Sequence, residues 1–281
     1  MGGIASAVGT LLVQGPHHKG FVSSLAQLLA SAGATVVDSS HHAEAGMFFQ
    51  RIRFDASYLE RDLEPGLEAL ARRHDMRWRI APPDRVKRVA ILVSKQEHCL
   101  YDLLLRHRAG ELACAVELVI SNHPDLAPIA EHFGVPFHHL PITAATKPMQ
   151  EAALLRLLDD IDLVVLARYM QILSPELVAR FPERIINIHH SFLPAFVGAS
   201  PYRQAHERGV KVIGATSHYV TAELDQGPII DQDTIRCTHR DSVEDLVRKG
   251  RDLEKRVLAA AVRWHVDDRV LSHGGKTVVF D

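Results

Sequence analysis

The sequence predicts two consecutive α/β domains, a ferredoxin-like βαββαβ unit followed by a larger Rossmann-like domain with a mainly parallel sheet. In the first 80 residues, strand and helix patterns follow one another in the order strand, helix, strand, strand, helix, strand. A proline-bearing stretch comes next, and beyond it continuous apolar strands alternate with helices. The length of 281 residues suits two domains. We therefore place the first domain at residues 1–80, a linker at 81–87 and the second domain at 88–281.

Each element of the first domain follows from its own pattern. VGTLLVQG predicts a strand, and KGFVSSLAQLLASAG predicts a helix that closes at Gly33. ATVVDSSHHAEAGMFFQRIRF predicts two strands, because Phe48, Ile52 and Phe54 alternate on one face of the second. ASYLERDLEPGLEALARRH predicts a helix interrupted at Pro65-Gly66, and MRWRI predicts the last strand.

The second domain shows the alternation that is typical of a parallel sheet covered by helices on both faces. Apolar runs predict its strands, which are KRVAILVS, AVELVISN, VPFHHLP, DLVVLA and RIINIH. Helical patterns lie between them, in EHCLYDLLLRHRAG, DLAPIAEHFG, KPMQEAALLRLLDDI and SPELVARF, where Ser174 supplies an N-cap. GATSHYVTAELDQGPII predicts strand, loop, strand, and DSVEDLVRKGRDLEKRVLAAAVRW predicts a last helix.

Two polar residues stand at the end of one predicted strand. Asn187 and His189 are two residues apart in RIINIH, so they point to the same face. Ligands of open parallel sheets bind outside the carboxyl ends of the strands, which is where these residues lie. The alternative is structural, with Asn187 capping the turn and His189 half-buried and satisfied. Their position at a strand end favours a functional site.

The segment GATSHYVTAELDQGPII adds His218 and Asp225 to the candidates. Taken alone, Asp225 is explained as a turn residue, because the sequence Asp-Gln-Gly-Pro favours a turn. Asn, His and Asp together at strand ends indicate more than a turn. An amide can donate to a developing oxyanion, an imidazole can carry a proton, and a carboxylate can orient or accept.

Composition excludes several classes of partner. The net charge of −2 gives no basic surface for nucleic acid or an acidic membrane, and no apolar run is long enough to span a bilayer. Three widely spaced cysteines favour a reducing compartment, so we expect a cytoplasmic protein without a secretory leader. None of the histidine pairs has zinc-helix spacing with a carboxylate between, so we expect no metal.

The first domain resembles the ACT domain, a small-molecule-sensing module. QGPHHKGFVSSLAQLLASAGATVVDSSHH carries the resemblance, which covers most of residues 7–80. It implies a possible small amino-acid effector near the helix N-terminus and a homo-oligomer. The family often has Cys-Pro-Asp-Arg before that helix, whereas this chain has Gly15-Pro16-His17-His18.

Residues 86–270 resemble the formyltransferase family that uses 10-formyltetrahydrofolate. The motifs are NIHHSFLPAF, GATSHYVTAELDQGPII and LARYMQILSPELV. The resemblance implies catalysis by Asn187, His189 and Asp225, with His218 in support. It also implies folate contacts from two segments, Tyr169, Met170, Gln171 and Leu173 in one and Thr221, Ala222 and Glu223 in the other.

An ACT-like domain in front of such a domain resembles the hydrolase branch of this family, the formyltetrahydrofolate deformylases. The expected reaction is hydrolysis of 10-formyltetrahydrofolate, an attack of water on a linear C–N amide bond, with no cofactor. Its formate would feed purine and one-carbon metabolism. This chain departs from the branch at Val197 and Ser200, where Lys and Asn are usual. The alternatives are a formyltransferase to an amine acceptor and a folate- or amino-acid-sensing binding protein.

Overall fold

The computed structural model describes residues 7–57, 62–83, 85–194 and 201–281. The chain divides into two compact units. The first comprises Met1–Arg85 together with Asp268–His273 and Val278–Asp281, and the second comprises Val86–Asp267 with Gly274–Thr277. The boundary after Arg85 falls within the predicted linker. The C-terminal residues differ from the prediction, which placed all of residues 88–281 in the second domain.

The first unit has the predicted βαββαβ order. Its sheet has the strand order β2-β3-β1-β4, and every pair of neighbours is antiparallel. The core lies between the sheet and its helices, where Leu11, Phe54 and Leu29 are almost fully buried. The elements are β1 (Val8–Pro16), α1 (Phe21–Ser31), β2 (Thr35–Glu44), β3 (Met47–Asp55), α2 (Glu64–His74) and β4 (Arg77–Ala81).

The proline at position 65 begins a helix and does not interrupt one. Helix α2 starts at Glu64, so Pro65 lies in its first turn. A proline is tolerated there because the first backbone N–H groups of a helix have no intrahelical partner. The predicted interruption at Pro65-Gly66 was therefore wrong for the described helix.

The second unit contains a seven-stranded sheet with the order β11-β10-β9-β8-β5-β6-β7. Strands β5 to β9 are parallel, and β10 and β11 join antiparallel at one edge, which confirms the mainly parallel sheet. The strand order reverses between β5 and β8, and ligands bind at such a switch point. The elements are β5 (Lys87–Val93), α3 (His98–Arg108), β6 (Cys114–Ser121), α4 (Ala127–His132), β7 (Phe137–His139), α5 (Lys147–Leu157), β8 (Leu163–Leu166), α6 (Pro175–Arg180), β9 (Ile185–His189), α7 (Pro201–Glu207), β10 (Val212–Tyr219), β11 (Ile229–Arg236) and α8 (Val243–Val266).

Helix α8 is the longest helix of the described residues and begins with a capping box. The Ser242 side chain accepts from the Asp245 N–H, and the Asp245 carboxylate accepts from the Ser242 N–H. One face of the helix is buried and includes Leu253, Val257 and the carboxylate of Glu254. No helix in the described part of the chain is long and apolar enough to cross a membrane.

A C-terminal hairpin explains the difference in domain assignment. Strands β12 (Val270–His273) and β13 (Lys276–Val279) pair with each other. Leu271 and Phe280 form a small apolar cluster with Leu12 and Phe49 of the first unit's sheet. Burial of these large side chains contributes about 25 cal/mol for each Å² removed from water, and Asp268–His273 and Val278–Asp281 accordingly belong to the first unit.

Candidate active site

The strands β9 and β10 bring three polar side chains together. Asn187 and His189 share a face of β9, as their spacing predicted. In the antiparallel pairing of the two strands, His218 of β10 lies directly opposite Asn187. The Asn187 Nδ2 is 3.3 Å from His218 Nε2. The register of the sheet therefore joins His218 to the strand-end pair.

Asp225 lies in the loop between β10 and β11 and contacts both imidazoles. Its Oδ2 is 3.3 Å from His189 Nδ1, and its Oδ1 is 3.6 Å from His218 Nε2. The hydrogen bond from His189, followed by the contact with His218, holds the pKa of Asp225 well below its usual range. The loop thus presents an ionised carboxylate to two histidines.

The partners of the two histidines show where their protons lie. His218 Nδ1 is 2.9 Å from the backbone carbonyl of Tyr219, which can only accept, so Nδ1 carries a proton. The Nε2 of His218 lies 3.3 Å from the Asn187 amide nitrogen and 3.6 Å from Asp225 Oδ1. His189 Nδ1 faces Asp225, and its Nε2 is buried with no hydrogen-bond partner among the described residues. His189 Nε2 is therefore the ring atom that remains for a bound substrate.

A tight turn fixes Asp225 in place. The backbone φ of Asp225 is 56°, in the left-handed region that aspartate adopts more readily than most residues. Thr221 Oγ1 donates to the Glu223 carbonyl at 3.1 Å. A side chain at Gly227 would overlap the Tyr219 carbonyl, so only glycine allows the loop to return this closely to β10.

These side chains line one pocket of about 670 Å³, a size that holds a drug-sized ligand. Glu223 is exposed and lies outside the lining, whereas its neighbour Leu224 is part of it. Val197 and Ser200 lie outside the described residues. The predicted residues that line the pocket are Asn187, His189, His218, Asp225, Tyr169, Met170, Gln171, Leu173, Thr221 and Ala222.

Neighbouring elements hold the segment 169–173 against the pocket. The hydroxyl of Ser94, just after β5, accepts from the Met170 N–H at 2.9 Å and donates to Asn122 Oδ1 at 2.7 Å. Gln150 Nε2 donates to the Tyr169 hydroxyl at 2.9 Å. With its backbone tied down, this segment still leaves the Met170 side chain 58% exposed. Ile172 and Leu224 of the same lining are exposed as well, and a group of exposed apolar side chains beside a pocket is typical of a ligand-binding surface.

A buried ionic cluster forms another wall of the pocket. Glu254 of α8 is 1% exposed. Its Oε1 accepts from the Tyr202 hydroxyl at 2.6 Å, its Oε2 is 2.7 Å from His98 Nε2, and Arg168 Nε lies 3.5 Å from Oε2. Burial acts to raise the pKa of Glu254, but the His98 hydrogen bond and the Arg168 charge outweigh it and the pKa is lowered. The buried carboxylate is thus ionised and has a partner on each oxygen.

His190 lies between this cluster and the Asn187–His189–Asp225 group. Its ring centroid is 5.2 Å from that of His189 and 6.0 Å from that of Tyr202. Burial, followed by the charge of Arg168, lowers the pKa of His190 to about 4. His190 is therefore neutral near pH 7.

One group of described side chains could in principle bind a metal ion, which the sequence analysis did not expect. Atoms of His98, Cys99 and Glu254 lie within 4.8 Å of one another. Burial, followed by the Glu254 charge, raises the pKa of the Cys99 thiol well above its usual range, which disfavours the thiolate that a metal requires. Glu254 already has His98, Arg168 and Tyr202 as partners. These residues fit an ion-pair cluster better than a metal site, and the absence of a metal requirement stays a prediction.

Comparison with known proteins assigns the family. Residues 87–262 match the family described as Formyl transferase. A formyltetrahydrofolate deformylase from Synechocystis sp. is 52% identical over 278 residues, which are 96% of this chain and 98% of that protein. The chain belongs to the formyltetrahydrofolate deformylase family. The crystal structure of a deformylase from Pseudomonas syringae pv. tomato has a TM-score of 0.95 at 46% identity and covers 99% of this chain and 96% of its own.

A transferase structure matches a smaller share of this chain. Glycinamide ribonucleotide transformylase 1 from Symbiobacterium toebii has a TM-score of 0.66 at 36% identity, covering 70% of this chain and 95% of that chain. The formyltransferase-type α/β fold predicted for the second domain is confirmed, as is the resemblance to deformylases.

Sequence reasoning missed several residues of the deformylase-type pocket. Arg168, His190, Tyr202, His98 and Glu254 all line it. Only His190 had a local signal, since it follows His189 at the strand end. Glu254 lies within a helix, where an acidic residue usually indicates a solvated face. Its burial depends on contacts from residues distant in the sequence.

Proposed function

We propose that this chain hydrolyses 10-formyltetrahydrofolate to tetrahydrofolate and formate, with water as the nucleophile. The observation that carries the proposal is the Asn187–His189–Asp225 group lining one pocket in a chain that matches deformylases over nearly its whole length. The arrangement supplies donors for an oxyanion and a carboxylate for water in the same place.

Water attacks the formyl carbon and gives a tetrahedral intermediate with a negative oxygen. The Asn187 amide has a second hydrogen beyond the one directed to His218, and His189 in its protonated form donates from Nε2. Both groups stabilise the oxyanion, and loss of one such donor typically lowers the rate by about 10²–10³. His218 positions the Asn187 amide.

Asp225 orients the attacking water and accepts its proton. A carboxylate has about four lone-pair sites, so contacts with two imidazoles leave it able to accept from water. The C–N10 bond then breaks, N10 takes a proton, and formate and tetrahydrofolate leave. Protein groups and water suffice for this sequence, and we predict that a chelator leaves the rate unchanged.

Folate occupies the apolar side of the pocket. The side chains of Met170, Ile172 and Leu224 are 58%, 63% and 61% exposed and flank the polar group. Their apolar surface suits the flat pteridine and benzoyl rings, while Gln171 and the backbone of 169–173 offer hydrogen-bonding groups.

The runner-up is transfer of the formyl group to an amine such as glycinamide ribonucleotide. A phosphate-bearing acceptor is commonly held by a glycine-rich turn at a helix N-terminus. The turn before α3 contains no glycine, and Glu97 at its end would repel a phosphate dianion. The direct test is formate release from 10-formyltetrahydrofolate without any amine. Appearance of formylated glycinamide ribonucleotide in competition with formate would contradict the hydrolase assignment.

The first unit acts as an ACT-like regulatory and oligomerisation module in this proposal. Its support is the antiparallel βαββαβ arrangement and the resemblance of its sequence. A small amino-acid effector would lie near His17 and His18, before α1. Thermal shift with each amino acid tests the effector, and sedimentation tests the homo-oligomer. The cytoplasmic location likewise stays a prediction.

A further inference from the structure

The proposed hydrolysis leaves the buried cluster of His98, Arg168, Tyr202 and Glu254 without a role. Burying an ionised carboxylate is unfavourable unless it is paired and hydrogen-bonded. Among the described residues that line the pocket, only Asp225 and Glu254 are acidic. A second buried carboxylate in the pocket of an enzyme that attacks with water requires an explanation.

The cluster is connected to the reacting centre by a series of ring contacts. From His189, ring contacts lead through His190 to Tyr202, whose hydroxyl donates to Glu254. Asp225 contacts the Nδ1 side of His189, and its loop carries the residues assigned to folate. A second reactant that approaches the formyl carbon from the His190 side of His189 therefore meets the Glu254 cluster.

Water and an amine differ in the space and the hydrogen-bond acceptors that each needs on the Glu254 side of the pocket. With either nucleophile, a new bond forms to the formyl carbon, the C–N10 bond breaks, N10 gains a proton and the nucleophile loses one. Water yields formate, and an amine yields an N-formylamine. An amine also brings substituents that need space and N–H groups that need acceptors, and a carboxylate is the strongest acceptor available. Both oxygens of Glu254 already have protein partners.

We propose that His98 and Tyr202, by occupying both oxygens of Glu254, exclude amine acceptors from this side of the pocket and leave it to water. They are specificity-determining residues for hydrolysis over formyl transfer, an inference that rests on the proposed function. His98 is central because it is the first residue of α3 and contacts Glu254 from the glycine-free turn. Removing its imidazole would open space and leave Oε2 with Arg168 alone.

The test is a partition ratio, the amount of N-formyl product divided by formate, measured with glycinamide in the assay. The wild type should give formate alone. His98→Ala should raise the ratio to at least about tenfold the detection limit set with the wild type. The double variant His98→Ala/Glu254→Gln lacks the acceptor charge, so its ratio should return toward the wild-type value. Leu105→Ala, on the same helix but 44% exposed and outside the lining, should keep the wild-type ratio.

A ratio is insensitive to a general loss of activity, so it separates specificity from a structural effect. The proposal is overturned if His98→Ala still hydrolyses the substrate with the wild-type ratio, or if the double variant keeps the raised ratio. Should His98→Ala fail to fold, Tyr202→Phe frees Oε1 with little change in volume, and an unchanged ratio there also overturns it. Failure of the wild type to release formate without an amine would instead contradict the proposed function.

Discussion

Replacing Asp225 by asparagine removes one negative charge and keeps the shape of the side chain. Asparagine also tolerates the left-handed backbone at this position, where φ is 56°, so the turn should persist. In the wild type, His189 Nδ1 lies 3.3 Å from Asp225 Oδ2. In the variant, the amide of Asn replaces this carboxylate beside the imidazole. Loss of a positioned acid–base group lowers rates by about 10²–10⁴, and this is the decrease that we expect in kcat.

The same substitution should also change the pH dependence of stability. The pKa of Asp225 is depressed on folding, so its stabilisation is present above the ordinary aspartate pKa and is lost as the pH falls below it. A hydrogen bond to a charged group contributes about 1.5–3 kcal/mol, and the 3.3 Å distance between His189 Nδ1 and Asp225 Oδ2 favours the low end. Wild type and Asp225→Asn should thus differ by about 1.5 kcal/mol at pH 7 and converge in acid.

Formate release, binding of a 10-substituted folate that cannot be hydrolysed, and urea unfolding from pH 7 down to the most acidic pH at which the protein still folds measure these effects. Gln226→Ala, in the same turn, is the control and should retain activity. A variant Asp225→Asn that binds folate and releases formate at a near-normal rate would remove Asp225 from the mechanism.

Three other perturbations test features of the fold. Burial raises the pKa of Asp231 to about 6, so its ionised form destabilises the folded protein. In urea unfolding, Asp231→Asn should therefore stabilise the protein by about 1–2 kcal/mol above pH 6. The stabilisation should decrease as the pH falls toward about 4 and be absent below that pH. A side chain at Gly250 would overlap the Tyr202 ring, so Gly250→Ala should destabilise by about 1–3 kcal/mol in the same assay. A fragment of residues 86–267 should stay more soluble than one of residues 86–281, in which the apolar C-terminal strands lose their partners in the first unit.

Each of these has an outcome that would contradict it. Asp233 lies on the same strand as Asp231 and is paired with Arg256, so Asp233→Asn should give no stabilisation. Equal stabilisation by both substitutions would indicate a general charge effect. Gly250→Ala as stable as the wild type would show that Tyr202 can move without cost, and equal solubility of the two fragments would show that the hairpin needs no partner.

The sequence by itself determined the local features of this protein. Alternating apolar residues identified the strands, and the two-residue spacing placed Asn187 and His189 on one face at a strand end. The turn residues around Asp225 marked a loop at the same edge of the sheet. Such features depend on neighbours within a few positions, so the order of residues is enough to predict them.

Only the tertiary structure decided which local features meet. The register of β9 and β10 placed His218 opposite Asn187, and the packing of three helices brought His98, Tyr202 and Glu254 together. Leu271 and Phe280 belong with the first unit because they pack with residues more than two hundred positions earlier. Periodicity shows which side chains share a face, but the contact between two faces depends on complementary shape, burial and charge across the folded chain.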